Sequence, residues 1–223
     1  MQSELSARTR VKVCGLTRLQ DVDAAVRAGV DAVGLVLYPG SKRAVSLAQA
    51  RDLRKAVPAF VSVVALFVNP ASQDVEAVLE HVAPDILQFH GDETPGFCAG
   101  FGHRYMRAFR IGAPGLATAD EVLAACRRYD SACAWLFDSF SEGYGGSGQA
   151  LDINLLEQVR KAQDSRALVL AGGLRAETVH ASIARVRPYA VDVSSGVEVK
   201  PGIKSAEKMA AFMRAVRGEL PAP

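Results

Sequence analysis

The stretch Val11-Lys12-Val13-Cys14-Gly15-Leu16-Thr17 reads as a buried strand that ends at a cysteine, turns at a glycine and enters a helix. Side chains alternate across a strand, so Val11 and Val13 share one face and Lys12 and Cys14 the other. Thr17 followed by Gln20 has the spacing of a capping box, which predicts a helix starting at Thr17. A thiol at the C-terminal end of a strand, just before a helix, sits where α/β folds place their chemistry.

The same alternation continues along the chain. Strand-like runs occur at Val11–Cys14, Ala32–Leu37, Val61–Val68, Ile86–His90, Tyr105–Ile111, Ala134–Asp138, Leu168–Ala171 and Ala190–Ser194. Several are nearly continuous apolar runs, as parallel strands covered on both faces require. Between them lie stripes at helical spacing with start signals: the capping-box spacing Ser46-Leu47-Ala48-Gln49, Ser72 before Val75 and Val78, Thr118 before Val122, and Ser205 before Met209 and Phe212. The Gly-punctuated stretch Thr94–Phe101 also reads as a short helix. Eight strands, each followed by a helix and with no linker, predict a single-domain (β/α)₈ TIM barrel over 11–217. Residues 1–10 then form a flexible N-terminal extension and 218–223 a tail. An open doubly wound sheet shares the alternation and is the alternative.

Composition narrows the function classes. The 223 residues carry a net charge of +2 and are 49% hydrophobic, with no basic block and no apolar run near the roughly 20 residues of a membrane span. Nucleic-acid and membrane partners are therefore not expected. The polar first ten residues lack an apolar signal region. Cys14, Cys98, Cys126 and Cys133 form no C-x-x-C pair, which fits free thiols in a reducing cytoplasm and no structural metal.

In a barrel the site lies at the C-terminal strand ends. Gly172-Gly173 and Ser194-Ser195-Gly196 end the last two strands, where backbone N–H groups beside a helix start make an anion nest; a phosphate-bearing substrate is the reading, glycines serving only tight turns the alternative. Asp138 follows Trp135-Leu136-Phe137 and is a helix cap, a partner for a cation, or a general acid. The Gly-rich loop after it is either a surface loop or a lid. Cys14 alone is a small buried hydrophobe or a reactive group. Gln88 and His90 share a parity and face one side; His90 is a base, a ligand contact or a structural residue. Arg43 offers a planar guanidinium that can hold a carboxylate bidentately. Asp192 and Ser194 share a parity on the last strand, which neighbours the first once a barrel closes. Lys12 and Asp192 should therefore meet inside it, since either charge buried alone is costly.

Taken together, Val11–Thr17, Gln88-x-His90-Gly91-Asp92-Glu93, Leu170-Ala171-Gly172-Gly173-Leu174 and Val191-Asp192-Val193-Ser194-Ser195-Gly196-Val197-Glu198 resemble the phosphoribosylanthranilate isomerase family of tryptophan biosynthesis. The Gly34–Ser46 segment and the Tyr144–Gly148 loop fit as well. The resemblance implies a cofactor-free barrel that performs an Amadori rearrangement of a phosphosugar, acting as a monomer or weak homodimer. It implies Cys14 as general base, Asp138 as general acid, Arg43 at the anthranilate end, and Gly172, Gly173, Ser194 and Ser195 in phosphate-binding loops. Those roles lead us to expect a depressed Cys14 pKa and a raised Asp138 pKa. Lys42, Ser139 and Gln149 depart from the family pattern and bear on lid contacts and affinity. Rival readings are a metal-dependent phosphosugar epimerase, a bifunctional isomerase with paired carboxylates, and a catalytically silent phosphate-binding barrel.

Overall fold

The apolar runs become strands because both faces of each are covered: helices pack outside, and side chains from the opposite wall fill the inside. The computed structural model describes residues 8–140 and 151–219. Its strands are β1 (Arg10–Cys14), β2 (Ala32–Val36), β3 (Ser62–Phe67), β4 (Ile86–Phe89), β5 (Tyr105–Ile111), β6 (Ala134–Ser139), β7 (Ala167–Leu170) and β8 (Ala190–Val193). They close in sequence order into one parallel barrel, with β1 paired to β8, so the open doubly wound alternative is ruled out. All eight lie within two residues of the runs read from sequence. The helices are α1 (Leu19–Ala28), α2 (Leu47–Lys55), α3 (Ser72–Val82), α4 (Pro95–Gly100), α5 (Ala119–Arg127), α6 (Glu157–Lys161), α7 (Ala176–Val186) and α8 (Ala206–Val216).

Strand alternation divides the core in two. Val11, Val13, Phe67, Phe89, Trp135 and Phe137 point outward and pack under the helices. Val64, Met106, Ala108, Ala134, Leu136, Val169 and Ala171 fill the interior. Cys14, Val36 and Leu66 form a third, small cluster. Gly34 on β2 makes room for that end of β1: a Cβ there would lie 2.8 Å from Cys14 Sγ and 3.1 Å from Lys12 Cε.

Several local expectations need correction. The first helix does not start at Thr17. Its hydroxyl donates to the Gly202 carbonyl at 2.6 Å, and Arg18 is the N-cap residue, its guanidinium held by Asp21. Ala71 rather than Ser72 caps α3. Ser46 Oγ does accept the Gln49 N–H, but the Gln49 amide donates to the Thr17 carbonyl instead of closing the box. Thr118 and Glu121 form a complete capping box on α5, and Thr94 and Ser205 cap α4 and α8. Before α6 the chain makes a 3₁₀ turn over Ile153–Leu156. After β8 a 3₁₀ turn, Ser195–Val197, leads into a small hairpin of β9 (Glu198–Lys200) and β10 (Ile203–Lys204) that the strand reading did not anticipate. At the chain's start, Arg8 pairs with Asp31 and β1 begins at Arg10, so the proposed extension is anchored from Arg8 onward. Most of the Gly-rich loop after Asp138, residues 141–150, lies outside the described residues, as do 1–7 and 220–223.

Candidate active site

The polar interior begins with Lys12. Register places it opposite Asp192, and its Nζ donates to Asp192 Oδ2 at 2.8 Å. Both side chains are buried, as the parity argument required. Burial works against the Lys12 ammonium, but the Asp192 carboxylate outweighs it and the pKa rises. Asp192 Oδ1 has no partner among the described residues.

Cys14 lies one layer above Lys12. Its thiol is pushed up, not down: burial dominates, and the opposing pull of Lys12 does not offset it. The shift runs against the expected depression, because a buried anion loses more hydration than one ammonium, itself shared with Asp192, returns.

Asp138, the penultimate residue of β6, lines the same cavity. Its pKa is raised to about 6, first by burial and then by the negative charge of Asp192; the Ser139 N–H, which donates to Oδ1 at 2.8 Å, and Lys12 oppose this. His90 Nε2 is 3.6 Å from Asp138 Oδ2. Burial, then Arg107, Lys12 and Arg110, lowers the His90 pKa to about 3, so the ring is neutral near pH 7. A neutral ring adds no cation beside Asp138, and the lift from burial survives. Gln88 Nε2 lies 3.4 Å from His90 Nδ1; with the Gln88 amide donating there, the ring proton sits on Nε2, toward Asp138. Gln88 Oε1 is buried without a partner among the described residues.

Opposite this group, Gly172 (φ 83°) and Gly173 (φ 66°) adopt left-handed backbone conformations. A Cβ on Gly172 would lie 2.8 Å from the Ser139 nitrogen. Gly172, Gly173, Ser194 and Ser195 all line the cavity. Among the described residues, nothing accepts a hydrogen bond from the N–H of Gly172, Gly173 or Ser195. N–H groups so placed can donate to an anion, in the barrel position where phosphate commonly sits. Gly196 is not on the cavity wall. It lacks a side chain because a Cβ would collide with the Leu174 carbonyl of the neighbouring loop.

Arg43 also lines the cavity, but its bidentate partner is already in the chain: Nε and Nη2 each donate to Glu198 at 2.8 Å. Glu198 and its second cation, Lys204, were missed as site residues by the strand-end reading, because both lie beyond β8 in the small hairpin. The available signal was a carboxylate three residues after Ser195, in reach of the cationic Lys42-Arg43 loop. Among the described residues, no three His, Cys, Asp or Glu side chains gather as a metal site, and no helix is long and apolar enough to cross a membrane.

Cys14, Arg43, Gln88, His90, Asp138, Gly172, Gly173, Asp192, Ser194 and Ser195 thus converge on one cavity. Similarity to known proteins points the same way. A family profile described as N-(5'phosphoribosyl)anthranilate (PRA) isomerase matches residues 11–215. The N-(5'-phosphoribosyl)anthranilate isomerase of Bordetella avium is 60% identical over 210 residues, covering 94% of this chain and 96% of its own. The crystal structure of phosphoribosyl anthranilate isomerase from Thermotoga maritima superposes with a TM-score of 0.84 at 36% identity, over 94% of this chain and 99% of that one. A second such structure, in complex with reduced 1-(o-carboxyphenylamino)-1-deoxyribulose 5-phosphate, gives 0.81 at 34% identity with the same coverage. The chain belongs to the N-(5'-phosphoribosyl)anthranilate isomerase family.

Proposed function

We propose that this chain converts N-(5-phosphoribosyl)anthranilate to 1-(2-carboxyphenylamino)-1-deoxyribulose 5-phosphate in tryptophan biosynthesis, in the cytoplasm, without a cofactor. The observation that carries the reading is Asp138: a carboxyl whose pKa is lifted to about 6 by burial, on one cavity with Cys14 and a glycine anion nest. Protonated Asp138 gives its proton to the furanose ring oxygen as the C1–O bond breaks, leaving a cationic Schiff base. Cys14 takes the proton from C2, and the electron pair moves to form an enolamine, which tautomerises to the ketone. The iminium charge opposes the burial that holds Cys14 as a thiol, so the S–H proton leaves to solvent as the Schiff base forms, and the resulting thiolate is the base. Gln88 Oε1 and Asp192 Oδ1, buried acceptors without partners among the described residues, suit sugar hydroxyls. Gly172, Gly173, Ser194 and Ser195 take the phosphate, and Arg43 faces the anthranilate carboxylate. Gly196 supports the turn.

The test is loss of substrate fluorescence with the intact protein, Asp138→Asn and Cys14→Ser. Each variant should lose about 10²–10⁴-fold in turnover, and the intact protein should give a bell-shaped pH profile. Near-full activity in either variant removes that residue from its role. Phosphate-ligand binding without any turnover by the intact protein would favour the silent barrel. The same reading gives a monomer or weak homodimer, with no nucleic-acid or membrane partner, and sedimentation equilibrium checks the oligomeric state.

A further inference from the structure

The pairing of Arg43 with Glu198 uses only one edge of the guanidinium. Nε and Nη2 point at Glu198, while Nη1 has no partner among the described residues and forms, with the second Nη2 proton, a fork along the other edge. The stem cannot easily turn away. Gly15 sits against it so closely that a Cβ there would lie 2.5 Å from Arg43 Cδ.

Glu198 is held in turn. Lys204 Nζ donates to its Oε1 at 2.8 Å, and the Gly202 N–H reaches the same oxygen at 3.1 Å. Lys204 also donates to the carbonyl and the hydroxyl of Ser194, each at 3.2 Å. The Ser194 hydroxyl donates to the Cys14 carbonyl at 3.0 Å. One buried network therefore joins the loop after β2, the turn after β8 and the end of β1. Glu198 alone would neutralise Arg43 and leave nothing for an anionic ligand. Lys204 brings a second cationic group to the one carboxylate, with burial pulling its pKa down and Glu198 opposing that pull.

We infer that Glu198 and Lys204 are positioning residues: Glu198 orients the free edge of Arg43 toward the carboxylate on the substrate's aromatic group, and Lys204 supplies the charge that makes that carboxylate welcome. This deepens the proposed reaction and rests on it. The pair sets selectivity for a carboxylated aglycone, while the phosphate loops and the acid–base pair act on the sugar.

Two stable product analogues test it: reduced carboxyphenylamino-deoxyribulose phosphate and its phenylamino counterpart lacking the carboxylate. Affinities are measured by calorimetry for the intact protein, Glu198→Gln and Lys204→Gln, with thermal melting as a check on folding. The intact protein should favour the carboxylated analogue by about tenfold or more. Both variants should bring that ratio to within about threefold; Glu198→Gln should bind the phenylamino analogue as before, while Lys204→Gln, which also loses its bonds to Ser194 in the phosphate loop, is read by the ratio alone. If one variant does not fold, the other reads the same ratio. An unchanged ratio overturns the proposal. Parallel loss of both affinities, or of the fold in both variants, assigns the network to structure and also overturns it. No carboxylate preference in the intact protein would overturn the substrate reading itself, and this inference with it.

Discussion

Two buried ion pairs lie on opposite faces of the same barrel wall. Lys12–Asp192 is inside the barrel, and Arg107–Glu93 is outside it, among the residues that cover β4 and β5. The outer pair is nearly saturated. Glu93 accepts from the Asn69 and Gly91 N–H groups as well as from Arg107. Arg107 also donates to the Phe89 and Gly91 carbonyls and lies 4.9 Å over the Tyr129 ring, with only Nε left over. The inner pair keeps a whole carboxylate oxygen, Asp192 Oδ1, without a partner on a cavity wall. A carboxylate with every oxygen engaged is architecture; one with an oxygen facing a cavity is prepared for something that arrives later.

The comparison breaks most sharply under substitution of the cations. Lys12→Met and Arg107→Met each leave a buried carboxylate uncompensated and should each cost about 3–5 kcal/mol in denaturant unfolding. Their turnover per folded molecule should part company: Arg107→Met stays within about threefold, and Lys12→Met falls by well over that. Equal losses of turnover would erase the distinction between the pairs.

Asp138 offers the next largest effect. Its pKa is about 6 in the fold and near 3.8 unfolded, so between those values the native state binds more protons. This group's contribution to stability therefore declines as pH rises through that window, to a penalty of roughly 3 kcal/mol above it. His90, depressed to about 3, slopes the opposite way, losing stability as pH falls below its usual value, but it is common to both proteins. Asp138→Asn should therefore gain stability over the intact protein from pH 4 to 6 and hold the gain above. A flat difference curve would mean that Asp138 ionises like a surface carboxylate.

The smallest effect calibrates the others. Thr118 and Glu121 cap α5 reciprocally on the surface, with the Glu121 carboxylate accepting the Thr118 N–H at 2.9 Å. Thr118→Ala should lower stability by about 1 kcal/mol and leave turnover untouched. An effect on turnover would show that fold and site are less separable than the two ion pairs suggest.

What was legible in the sequence followed from periodicity. Parallel strands covered on both faces leave apolar runs, and parity together with closure of β8 on β1 placed Lys12 against Asp192 before any coordinates. Strand-end position also brought Cys14, His90, Asp138 and the glycine pairs together. What failed depended on partners far away in the chain. Thr17 has the right spacing for a cap, but its hydroxyl answers to Gly202. The hold of Glu198 on one edge of Arg43 was not legible either, since it comes from a residue 155 positions away. The direction of the Cys14 shift turned on how completely burial outweighs Lys12, which no motif encodes. The packing demand on Gly196, where a Cβ would collide with the Leu174 carbonyl, was not legible either.

The inner ion pair spans 180 residues and the seam where the last strand meets the first. During synthesis the first strand emerges long before its partner, carrying an ammonium that an unfinished barrel cannot neutralise and that stays in water. A half-built sheet therefore has little reason to settle into a dry, compact trap. The charge leaves water only when the ring closes, so the groups placed around the reaction also serve as a check on completed assembly, coupling catalytic competence to a contact between the first and last strands.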